Sequence, residues 1–151
     1  MPHMSDRDRE TVRKHFEENL DADVDILMFT ERQSPIIIPG RQTCETCEPT
    51  QELLSEVASL SDKLTLTVRD IAEAAEEAAE HGVDRVPAFV LKGAARGHVR
   101  FFGIPSGYEF SALIADLIDT SKGVTDLSDA TRTYVSTLQH DVNIKVFTTP
   151  T

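Results

Sequence analysis

Tryptophan is absent from this chain, cysteine occurs only as Cys44 and Cys47, and aromatic residues make up 6% of it. Two cysteines cannot build the multi-bridge framework that small secreted domains use in place of a core. Cation is scarce as well: 15 Lys plus Arg face 26 Asp plus Glu, which gives a net charge of -11 without any clustered basic stripe. Neither nucleic acid nor an anionic membrane is expected as a partner of such a surface. No apolar run approaches the ~20 residues that a membrane helix needs. His3, His15, His81, His98 and His140 are scattered and show no metal-ligand spacing. The opening "MPHMSDRDRE" is charged and lacks an apolar h-region, so it does not read as a secretory signal, and positions 1–4 have the look of a tag remnant. A cytoplasmic setting is the expectation.

What is present suits one domain with a proper core: 151 residues, 40% hydrophobic and 27% charged. Ser5 reads as the N-cap of a first helix, with Val12, Phe16 and Leu20 repeating every four residues. "VDILMFT" is a short apolar run that fits a strand buried on both faces. After the loop "ERQSPIIIPGRQ", Leu53, Leu54, Val57 and Ala58 mark a helix from Cys47 to about Leu60. "KLTLTV" alternates as a strand, with Leu64, Leu66 and Val68 on one face. Asp70 and Glu73 resemble a capping box opening the alanine-rich "DIAEAAEEAAEH", which Gly82 stops. "VPAFVLK" and "HVRFFG" read as a hairpin. Ser106 and Glu109 predict a capping box for a helix with Phe110, Leu113, Ile114, Leu117 and Ile118 on its apolar face. A further helix over Ser128 to Leu138 and a final strand "VNIKVF" complete the chain. The expected fold class is α/β: two parallel crossovers, then an antiparallel hairpin and a closing helix, forming a small mixed sheet with helices on both faces.

The cysteines fall where the first strand hands over to a helix, and such sheets gather ligands and reactive groups at the carboxyl ends of their strands. Three readings of Cys-x-x-Cys stand side by side. In the redox reading Cys44 is the more exposed, attacking thiol, favoured as thiolate by the helix N-terminus, and Cys47 resolves the mixed disulfide about one turn later. A metal reading needs four ligands, so two chains would have to share a zinc ion or bridge a cluster. In the third the thiols are merely packed. Redox leads. Glu45 and Glu48 disfavour a thiolate, and Pro49 is expected to disturb the first turns of the helix. The expectation is a Cys44 pKa near or above neutral and a reducing couple. Pro87 stands at the entrance of a strand that should be central, where proline is out of place unless the chain turns before pairing begins.

Cys-x-x-Cys after a first strand, followed by "RVPAFV" and then by "RFFGIPSGYEFSALIADLID", resembles a thioredoxin-fold redox domain. More narrowly the chain is similar to the N-terminal unit of the glutaredoxin-like protein disulfide oxidoreductases, which carry two thioredoxin-fold units in tandem. "FFGIPSGYEF" is the most specific segment. The resemblance implies that Cys44 and Cys47 are the redox pair, and that Pro87 is a cis proline which, with Val86, rests the substrate backbone. Residues 1–20 would be an N-terminal helix and 21–123 a thioredoxin-like domain. Residues 124–151 would be a linker helix and the first strand of an absent second unit. The implied activity is dithiol–disulfide exchange with protein disulfides, with no cofactor bound. Electrons would come from a thioredoxin-reductase-like donor or from the second unit. The alternative function is a thioredoxin-fold binding module or a metal- or cluster-bridged dimer. The chain departs from the pattern in its Glu45-Thr46 spacer, in a longer loop containing Ile36, Ile37 and Ile38, and in lacking a carboxylate at the centre of "DILMF". Ile36–Ile38 read as a plug over the core or as a contact surface. Arg41 and Arg85 could lend positive charge near the thiols, and neither is given a catalytic role.

Overall fold

Ser5 starts the first helix as its sequence foretells: its Oγ accepts the backbone N–H of Asp8 at 3.2 Å, satisfying a donor that has no partner within the helix. The computed structural model describes residues 4–32 and 43–148. Helix α1 covers Asp6–Asn19 and is followed by strand β1 (Val24–Thr30), helix α2 (Cys47–Ala58) and strand β2 (Leu64–Asp70). Next come a short helix α3 (Ala75–Glu80), strands β3 (Ala88–Lys92) and β4 (Val99–Phe102), and helices α4 (Tyr108–Lys122) and α5 (Asp129–Ser136).

The four strands form one sheet in the order β2-β1-β3-β4, with β1 and β2 parallel and both β1–β3 and β3–β4 antiparallel. This corrects the expectation of two parallel crossovers. Only the β1–α2–β2 passage returns the chain to the far end of the sheet. A six-residue α3 spans only ~9 Å, against ~23 Å for a seven-residue strand. The chain therefore re-enters at the end where β2 stopped, and Ala88 comes to lie opposite Phe29.

Side-chain alternation splits the core between the two faces. Val24, Ile26 and Met28 of β1 join Phe89 and Leu91 of β3 under α1, α2 and α4, which contribute Phe16, Leu54, Val57, Leu113 and Leu117. Leu27, Phe29, Ala88 and Val90 face the other way, onto Ala78 of α3 and Val83. Arg9 of α1 ties to Glu56 of α2 at 2.8 Å. The fold class is thus the mixed sheet with helices on both faces that the sequence led us to expect.

Three local expectations are corrected. Asp70 ends β2 rather than opening a helix, and Ile71–Ala74 form turns before α3. Its Oδ1 still accepts the N–H groups of Ala72 and Glu73 at 2.9 and 3.3 Å, but the Glu73 carboxylate goes to Arg32 instead of back to the cap. At α4 the N-cap is Gly107, with φ +62°, and Ser106 contributes its backbone carbonyl to Glu109 N–H instead of its hydroxyl. Val142–Phe147 form no strand. A strand is stabilised through a neighbour's ladder, and none of the four described strands pairs with this segment.

The closing end of α4 is tightly made. Gly123 adopts φ +64°, and a Cβ there would stand 2.7 Å from the carbonyl oxygen of Ala94. Ala95 N–H donates to Thr120 O at 3.0 Å, stitching the β3–β4 connection to the same helix end.

Candidate functional site

Position decides what the two cysteines experience. Cys44 precedes a turn formed by Glu45 and Thr46, and Cys47 is the first residue of α2. The first helical hydrogen bond is Thr50 N–H to Thr46 O at 3.0 Å, and the Thr50 hydroxyl donates to the same oxygen at 2.6 Å. Pro49 is therefore the third helical residue, where an N–H would have no acceptor within the helix. It leaves the first turn regular, contrary to the expectation that it would disturb it. A disulfide joins Cys44 and Cys47, with an S–S distance of 2.03 Å. The two cysteines are unequally covered: Cys47 is 2% exposed, whereas Cys44 is half-buried. Glu45 and Glu48 are exposed beside them.

Cys47 sits at the carboxyl end of β1, where a cavity of about 270 Å³ is lined by Thr30, Glu31, Arg32, Cys47, Glu48 and Gln51. Asp70 fastens this end of the sheet. Its Oδ2 accepts the backbone N–H of Arg32 at 2.9 Å, joining the exit of β1 to the exit of β2. That hydrogen bond, chiefly, holds the Asp70 carboxyl below the usual carboxylate range; burial opposes it, and the N–H groups of Ala72 and Glu73 and the Arg32 charge reinforce it.

Pro87 is buried immediately before β3, its bond to Val86 is cis, and its carbonyl accepts Gly103 N–H at 2.8 Å. Since Phe29 pairs with Ala88, Pro87 belongs to the same end of the sheet as Thr30 and Cys47. Val86 turns its side chain onto the α3-side core, and among the described residues its backbone N–H and C=O have no hydrogen-bond partner. Arg41 and Ile36–Ile38 lie outside the described residues. Sequence reasoning missed what Arg85 does. Its guanidinium lies over the ring of Phe102, 5.0 Å from the centroid, and its Nε donates to Asp84 at 3.0 Å. The strand alternation around Phe102 was the available signal, because it points that ring away from the core formed by Phe101.

At the end of β4 and α3 a second cluster forms. The His81 and His98 rings meet edge to face at 5.6 Å, and Arg100 donates to the His81 carbonyl at 3.0 Å. Burial, with help from the Lys92 and His98 charges, pushes the His81 pKa down, opposed by Glu77 and Glu80.

Among solved structures, the chain is similar to an alkylhydroperoxide reductase component, AhpF, from Enterococcus faecalis, with a TM-score of 0.73 and 23% identity over 89% of this chain and 61% of that one. It is similar also to a protein disulfide oxidoreductase from Aeropyrum pernix K1, with a TM-score of 0.72 and 27% identity over 89% of this chain and 55% of that one. The chain thus spans less than two thirds of the length of either. No curated protein sequence matches it significantly. The thioredoxin domain model matches residues 36–115, a span that holds the cysteine pair, α2, the whole β2–β4 region and the start of α4. With the mixed sheet, the disulfide at the head of α2 and more than half of its length inside that match, the chain belongs to the thioredoxin domain family.

Proposed function

We propose that this protein exchanges dithiol for disulfide with protein substrates, using Cys44 as nucleophile and Cys47 as resolving thiol. The unequal cover of the two cysteines at the head of α2 carries the reading. The Cys44 thiolate attacks one sulfur of a substrate disulfide, forming a Cys44–substrate bond and releasing the other substrate sulfur, which takes a proton. Cys47, as thiolate, then attacks Cys44 Sγ and releases the second substrate thiol. The substrate gains two electrons and the protein is left as the Cys44–Cys47 disulfide, which a dithiol donor must reduce. The open backbone of Val86, next to Pro87, offers main-chain pairing to an extended substrate segment.

The dithiol donor is a thioredoxin-reductase-like protein or a second thioredoxin-fold unit in the same polypeptide. Residues 124–151 would supply the linker helix and, once paired within that unit, its first strand; the described part, 124–148, is exposed throughout. A reducing compartment such as the cytoplasm suits the cycle.

Insulin reduction with dithiothreitol as donor tests the proposal. The wild type is expected to reduce insulin disulfides, and Cys44→Ser to abolish this. A redox titration is expected to give a reversible couple near or below about -230 mV, in the thioredoxin to glutaredoxin range. A pair that never closes across that range would sink the reading.

A further inference from the structure

The cation–aromatic pair beside Val86 has no structural duty that its cover explains. Phe102 is 43% exposed although it sits on a strand, and the Arg85 side chain is 70% exposed. The two are held in a defined relation. Ala88 pairs with Phe102, so the ring is fixed by the β3–β4 register, and the guanidinium lies over it at 5.0 Å. Asp84 occupies the Nε edge at 3.0 Å. The two Nη groups are left open, with no hydrogen-bond partner among the described residues. A guanidinium with one face on an aromatic ring and one edge anchored is preorganised to present its remaining donors to a planar oxyanion.

Its place in the chain gives it something to read. Val86 sends its side chain into the core, while Arg85, one residue earlier, sends its own outward over Phe102. A peptide pairing with the open backbone of Val86 therefore passes Arg85 on its outer side. Charge makes the choice of ligand specific. On a molecule of net charge -11, a carboxylate beside a substrate disulfide meets net long-range repulsion, so a cation held at the docking edge, its charge shared with Asp84, favours acidic segments that dock here over those that do not.

We propose that Arg85, braced by Phe102 and Asp84, is a specificity subsite for a carboxylate side chain flanking the substrate's disulfide. This rests on the exchange activity proposed above and names the substrate class for it.

The test uses two disulfide-bridged peptides that differ only in Asp or Asn beside one half-cystine, with dithiothreitol as donor. The wild type is expected to prefer the Asp peptide by about threefold to fivefold in kcat/KM, as one solvent-accessible charge contact allows. Arg85→Gln is expected to bring the ratio to about one. Phe102→Leu, which keeps the charge but removes the ring, is expected to fall between. Raising the salt should shrink the wild-type preference, a response that a purely structural role would not give. Equal rates on both peptides, or a ratio that survives Arg85→Gln, would overturn the subsite while leaving the exchange reading intact. Failure of the wild type on both peptides and on insulin would overturn the exchange reading, and the subsite with it.

Discussion

Residues 6–122 and residues 124–148 carry comparable apolar side chains and use them in opposite ways. In the first region Phe16, Ile26, Leu54, Phe89 and Leu113 are almost wholly withdrawn from water. In the second, Val124, Tyr134, Val135, Ile144, Val146 and Phe147 are all at least half exposed, and α5 buries no residue. The segment is not ill-made locally, since Ser128 caps α5 by accepting Thr131 N–H at 3.2 Å. Among the described residues it has no opposing surface. A cap contributes ~1 kcal/mol, whereas burying a large apolar side chain contributes ~1.5–3 kcal/mol, so the packed region holds the stability and the capped helix adds little.

The largest effect that tests this contrast is expected in the core. Leu54→Ala or Leu117→Ala, each emptying a fully buried site, should cost about 2–5 kcal/mol in urea unfolding. A smaller one is expected at the fastened end of the sheet. Asp70→Asn should cost about 1 kcal/mol at neutral pH through weakened charge-assisted hydrogen bonds. Because the folded Asp70 carboxyl is held below its unfolded value, its contribution is present above about pH 4 and is lost as pH falls through the folded value. Stability profiles of wild type and Asp70→Asn should therefore converge in acid. The smallest effect belongs to the C-terminal segment. Ile144→Ser and Phe147→Ser should each change stability by less than about 0.5 kcal/mol, with amides from 129 to 147 exchanging far faster than those of β1 and β3. A cost above about 1 kcal/mol for either would break the comparison.

The same contrast explains what the sequence made legible. The four sheet strands, α1, α2 and α4 are visible because each carries an apolar pattern that its packing then uses, as Leu113, Ile114, Leu117 and Ile118 do. "VNIKVF" carries as good an alternation, yet pattern states only what a segment could pair with, and a ladder needs the second strand. Boundaries failed where backbone groups competed with side chains: Ser106 lost the cap to Gly107, and the turns after Asp70 took the first residues expected of α3. The direction of β3 was hidden because it depends on the length of α3, which its alanine-rich sequence overstates. At the candidate site, the cysteine pair and Pro87 stand out as residue types in unusual places. The seat of Arg85 over Phe102 does not, since it arises from a strand register that no local spacing encodes.

Gly123 has a mechanical consequence. The segment after α4 leaves the domain through a residue that has no room for a side chain beneath Ala94, next to a loop stitched to Thr120. A pull on that segment would therefore load α4 and the β3–β4 loop together. Tension would pass into β3, an inner strand of the sheet, which resists shear better than a helix end resists being peeled away.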